Sequence, residues 1–200
     1  MYKRQVLQDY LTADMKVYNY AKDGTSTKTY LEYGRQNAME PYMREGDYLL
    51  FQLGHNDRDN KYKGTTLEEY KDNLRKYVAM ARQRGLHMIF VTPVTVMQDV
   101  GKTDLGSAQE RTLYGFATAM KAVAEELDVP LIDLHQKSIR ELGEEGVTGS
   151  ADPNGIYYHD ANGKIDATHF SEKGARVLCG YIKELLQDNP ETQDIAKYFK

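Results

Sequence analysis

Short apolar runs alternate with longer amphipathic stretches along most of this chain, and that alternation constrains its fold more than any other feature. Tyr48-Leu49-Leu50-Phe51-Gln52-Leu53 reads as a strand, and Thr66-Leu67-Glu68-Glu69 as a capping box that opens a helix. Leu67, Tyr70, Leu74, Tyr77, Val78 and Ala81 recur at helical spacing until Gly85 closes that helix. Met88-Ile89-Phe90-Val91 is the next strand. Ser107-Ala108-Gln109-Glu110 reads as a second capping box, ahead of a helix through Leu113, Phe116, Met120, Val123 and Leu127. Val129-Pro130-Leu131-Ile132-Asp133-Leu134 is a further strand, and Val177, Leu178, Tyr181, Ile182, Leu185 and Leu186 mark the last long helix. Strands separated by helices imply α/β architecture: a parallel sheet with helices on both faces.

Two segments before this series matter as well. Val6, Leu7, Tyr10 and Leu11 form an amphipathic start with no strand ahead of it. Lys16-Val17-Tyr18-Asn19-Tyr20-Ala21 alternates and is predicted to be a strand running into the turn Lys22-Asp23-Gly24-Thr25-Ser26. From Glu141 to Lys164 the chain carries five glycines and a proline, reading as a long loop.

The bulk properties narrow the classes of function. The 200 residues are expected to form one domain, and 40% hydrophobic with 28% charged residues is ordinary globular composition. A net charge of −4 without a basic tract argues against nucleic acid as partner. No apolar run is long enough for a membrane span. The single cysteine, Cys179, excludes an internal disulfide and is expected to fill core space on a helical face.

In parallel α/β sheets sites form beyond the carboxyl ends of the strands. That rule puts Gly54-His55-Asn56-Asp57 on a rim, where the Asn56 amide can donate a hydrogen bond into a cleft. Asp166-Ala167-Thr168-His169 sets a carboxylate three residues before an imidazole, a spacing that lets it fix the ring tautomer. With a backbone N–H from Gly24 there are two donors for an oxyanion, and the set points to acyl transfer. Each member also has an ordinary reading. Asn56 and Gly24 suit turns, and Asp-x-x-His is short enough to arise by chance. His159, Asp160, Asp166 and His169 are an alternative metal-ligand set, although none is paired at helical i, i+4 spacing. His87 and His135 border strands and are read as structural.

Tyr18-Asn19-Tyr20-Ala21-Lys22-Asp23-Gly24-Thr25-Ser26, Gly54-His55-Asn56-Asp57 and Asp166-Ala167-Thr168-His169-Phe170-Ser171 stand in the order found in the SGNH (GDSL-type) hydrolases. The chain resembles their rhamnogalacturonan acetylesterase branch from about Gln5 to Leu186. Gly46-Asp47-Tyr48, Val91-Thr92-Pro93-Val94 and Pro130-Leu131-Ile132-Asp133-Leu134 support the match. The resemblance implies a three-layer α/β/α fold with a flavodoxin-like sheet and an esterase that needs no cofactor or metal. It implies backbone donation from Gly24, side-chain donation from Asn56, and His169 as general base oriented by Asp166. The substrate implied is an acetylated polysaccharide or oligosaccharide of the pectin type.

The family's nucleophilic serine lies in a Gly-Asp-Ser block on a first, central strand, and neither occurs here. Of the five serines, Ser107 and Ser171 read as helix caps, Ser138 lies on a helical pattern and Ser150 in the long loop. Ser26 is near the expected donors but not at the nucleophile position. The expectation is therefore an N-terminally shortened version of a longer esterase, with little or no activity of its own. A polysaccharide substrate would make the parent secreted or periplasmic. The competing readings are a non-catalytic glycan-binding protein and a metal-dependent hydrolase.

Overall fold

The computed structural model describes residues 6–59, 61–109, 111–143 and 155–200. They divide into two compact units: Tyr20–Pro93 with Gly106–Ile132, and Met1–Asn19 with Val94–Leu105 and Asp133–Lys200.

The first unit holds the sheet. Strands β1 (Tyr48–Phe51), β2 (His87–Val91) and β3 (Leu131–Ile132) are parallel in the order β1-β2-β3, with Phe51 level with Phe90 and Phe90 level with Leu131. Helix α1 (Thr27–Glu32) precedes them, and α2 (Leu67–Gln83) and α3 (Leu113–Leu127) connect them. Thr66 caps α2 through the reciprocal box with Glu69 that its sequence announces. Tyr70, Leu74 and Tyr77 of α2, Phe116 and Met120 of α3, and Phe51 and Phe90 of the sheet form one buried cluster. Tyr70 meets Phe116 edge-on at 4.9 Å, and Arg75 of α2 grips Glu126 of α3 through two hydrogen bonds of 2.9 and 2.7 Å.

The second unit holds α4 (Leu134–Glu141), the antiparallel pair β4 (Tyr157–His159) and β5 (Ile165–Phe170), then α5 (Glu172–Asp188) and the short α6 (Gln193–Ala196). Val6 packs with Ala175 and Cys179, so the lone thiol is core filling, as its helical face predicts.

Three sequence expectations need correction. Lys16 to Ala21 forms no strand. The Val17 N–H goes to the Gln8 side-chain oxygen at 2.7 Å, and the Tyr20 carbonyl accepts from the Tyr30 hydroxyl at 2.8 Å. Side chains take backbone groups there that a ladder would otherwise use. The helix assigned to a Ser107 box starts later, at Leu113, capped by Thr112, whose hydroxyl accepts from the Gly115 N–H at 2.9 Å. Thr112 outcompetes Ser107 because Arg111 adopts a positive φ of 69° that breaks the helical path before it. Glu110 and residues 144–154 of the expected long loop lie outside the described residues. The C-terminal part of that loop is not irregular: it supplies β4, which pairs with the Asp166 segment.

Candidate active site

Gly54 ends the apolar run of β1 with a φ of +147°, and a methyl group built on it would lie 2.5 Å from Pro93 Cγ. Only glycine passes that point without displacing Pro93. The chain then turns, and the Asn56 amide donates to the Thr25 carbonyl at 3.0 Å. Asn56 is thereby anchored one residue from Gly24, which has the left-handed φ of +74°. The structure brings these two predicted donors together.

The reason they hold is Asp57, which sequence reasoning placed on the rim with its neighbours. Its side chain is fully buried. Its carboxylate accepts from the Thr27 N–H at 3.1 and 3.0 Å, from the Thr27 hydroxyl, and from the Thr65 hydroxyl at 3.2 Å. Thr27 is held in turn by Asn73 Nδ2 at 3.2 Å and by the Tyr77 hydroxyl, which donates to its carbonyl at 2.9 Å. Burial raises the Asp57 carboxyl to about 6 against the opposing pull of the Thr27 and Thr65 hydrogen bonds. An Asn-Asp pair after a strand is visible in the sequence. That its second member is a buried anchor depends on Thr27, 30 residues earlier, and on Thr65, 8 residues later, and the strand's own pattern does not report it.

Asp166 and His169 meet as their spacing predicts, but on a strand. His169 Nδ1 is 2.7 Å from Asp166 Oδ2, while Asp166 Oδ1 accepts from the Thr168 and His169 N–H groups at 2.8 and 3.0 Å. Partial burial pushes the Asp166 carboxyl up, but hydrogen bonds from the His169 ring and the two N–H groups outweigh it, leaving it below its ordinary value. With Nδ1–H held by the carboxylate, Nε2 is the nitrogen that can accept a proton, and the His169 side chain is 54% exposed. Phe170 ends the strand and Ser171 caps α5, its hydroxyl accepting from the Gly174 N–H at 3.1 Å.

The remaining candidates fall elsewhere. Ser26 is fully buried in a reciprocal cap with Thr29. Ser138 is buried too, accepting from the Thr95 N–H and donating to the His135 carbonyl, both at 3.0 Å. Ser107 is exposed and accepts from the Gln109 amide at 2.7 Å, and Ser150 lies outside the described residues. His87 lies beside Tyr48, with ring centroids 5.2 Å apart, and His135 is buried in α4, positions that suit the structural reading. Asp160 uses Oδ1 on the N–H groups of Asn162 and Lys164, both at 2.9 Å. Among the described residues no three His, Cys, Asp or Glu side chains are grouped as metal ligands, and no helix is long and apolar enough to cross a membrane.

A parallel sheet flanked by helices, with hydrogen-bond donors gathered at a strand end, is a scaffold common to many hydrolases. Solved structures with this fold include YxiM from Bacillus subtilis, at a TM-score of 0.72 and 23% identity over 92% of this chain. The chain spans about half of that protein, 49% of its length. The lipase/acylhydrolase from Enterococcus faecalis superposes with a TM-score of 0.59 at 19% identity, covering 99% of this chain and 84% of that one. Among curated relatives, rhamnogalacturonan acetylesterase RhgT of Bacillus subtilis is 36% identical over 92% of this chain and 79% of its own length. The probable rhamnogalacturonan acetylesterase YesY of the same organism is 33% identical over 96% and 87%. The profile of the GDSL-like lipase/acylhydrolase family matches residues 2–177, and the chain belongs to that family of ester hydrolases.

Proposed function

We propose that this chain acts on acetyl esters of a rhamnogalacturonan-like polysaccharide, with Gly24 and Asn56 as oxyanion donors and His169 as general base oriented by Asp166. The observation that carries the reading is the Asp166–His169 pair, whose carboxylate is fixed by two backbone N–H groups and whose ring keeps one nitrogen for proton transfer. The names of two relatives above 30% identity, both rhamnogalacturonan acetylesterases, support the substrate class.

In the reaction a hydroxyl oxygen attacks the ester carbonyl carbon while His169 Nε2 takes its proton. Negative charge moves onto the carbonyl oxygen, where the Gly24 N–H and the second Asn56 amide hydrogen stabilise it. The C–O bond to the sugar then breaks, and His169 returns the proton to the leaving sugar oxygen. Buried Ser26 and Ser138 and the capping Ser171 are held in structural hydrogen bonds. We infer that none of these three attacks and that a water molecule does so, with slow turnover. That inference keeps a second reading in play, a glycan-binding protein that retains the cleft chemistry without a fast reaction.

Acetate release from acetylated pectin and from an aryl acetate, with and without chelator, tests the proposal. Slow release that is indifferent to chelator and lost in Asn56→Ala and His169→Ala supports it. Release unaffected by either substitution overturns it, and chelator sensitivity favours a metal-dependent reaction. A fluorophosphonate probe should leave the chain unlabelled; labelling would locate an attacking serine.

A further inference from the structure

Beside the Gly24–Asn56 donors lies a cation that no described side chain neutralises. A methyl group built on Gly24 would sit 3.4 Å from Lys63 Nζ, so the ammonium lies across the open face of that glycine. Lys63 is half-buried and makes no ion pair with any described residue. An ammonium held against backbone without a counter-ion favours an anion that comes from outside.

The residue before it is built as a platform. Tyr62 is 59% exposed, yet its ring is fixed at both ends. Its hydroxyl donates to Glu32 Oε2 at 2.6 Å, and Lys28 Nζ lies 4.5 Å from the ring centroid and donates to the Tyr62 carbonyl at 3.1 Å. An exposed aromatic ring that is already ordered loses little freedom on stacking against a sugar.

We propose that Tyr62 and Lys63 form a subsite for an acidic sugar, the ring stacking on the pyranose and the Lys63 ammonium taking its carboxylate, next to the donors that hold the ester. The subsite rests on the reading of Gly24 and Asn56 as the ester end of the cleft, and it adds the charged group by which substrate is chosen. The chain carries a net charge of −4, so attraction of a polyanion needs a local cation of this kind.

Binding separates this subsite from the reaction, because it requires neither an acetyl group nor turnover. Oligogalacturonate as the free acid, ionised at neutral pH, and as the methyl ester, in which a methyl group masks each carboxylate, are titrated calorimetrically into the full chain. The free acid should bind about 3- to 10-fold tighter, a preference that added salt erases. Lys63→Gln should abolish the preference and Lys63→Arg should retain it. Tyr62→Ala should weaken both ligands about equally, by about 2- to 10-fold. A wild-type chain that does not distinguish the two ligands overturns the proposal, as does a Lys63→Gln variant that still does. Loss of acetate release with this binding pattern intact counts against the esterase reading alone.

Discussion

Two carboxylates support the two groups of candidate residues, one in each compact unit, and their environments push them in opposite directions. Asp57 is sealed in, four hydrogen bonds from two threonines notwithstanding, and burial raises it to about 6. Asp166 is partly open to water and its hydrogen bonds win, so it falls below the ordinary carboxylate range. The first anchors a stationary feature, the loop pair that carries Gly24 and Asn56. The second holds the exposed His169 ring, the group that exchanges protons in the function proposed above. Placement of donors calls for burial and redundancy, whereas proton transfer calls for access and a fixed tautomer.

The largest effect should come from the open side. His169→Ala is expected to lower acetate release by about 100- to 10,000-fold, the range for loss of a general base, without moving the melting temperature, since the ring is half in solvent. A large loss of stability in that variant would break the contrast. On the sealed side, Asn56→Ala should cost about 100- to 1000-fold in kcat, with KM for the ester nearly unchanged. Equal losses in binding would make Asn56 a structural residue.

Asp57→Asn sharpens the comparison through pH. The folded carboxyl titrates at about 6 and the unfolded one near 3.8. As pH falls through 6 the folded state takes up a proton before the unfolded state does, so this group's contribution to stability grows, by about 2 kcal/mol by pH 4. Denaturant midpoints measured across that window should show the gain in the wild type minus the Asn variant. Asp166 has the opposite sign: its contribution is present above the ordinary carboxylate pKa and is lost as pH falls below it. The smallest effect is expected for Ser171→Ala. Removing the cap of α5 should cost about 1 kcal/mol in urea unfolding, with a modest change in turnover through the adjoining His169 strand.

Helix α2 was legible to the residue at its start, because Thr66 and Glu69 are a local signal that the tertiary structure has no cause to override. Asp166 and His169 were legible for the same reason, three residues being a distance their own backbone can close. The segment from Lys16 to Ala21 was not, since alternation reports a capacity for pairing and not whether a ladder partner exists. Asp57 was misread because its neighbours in sequence, His55 and Asn56, are only partly buried while its partners Thr27 and Thr65 arrive from other elements. Periodicity along one strand cannot foretell a polar contact between loops.

The bond from Asn56 to the Thr25 carbonyl has a further consequence. An amide carries two hydrogens, and this one has spent the first before any substrate arrives. Rotation about the terminal torsion is therefore stopped, and the remaining hydrogen keeps a single bearing. In the reaction proposed above, a donor whose bearing is already set meets developing charge on a carbonyl without a search for orientation.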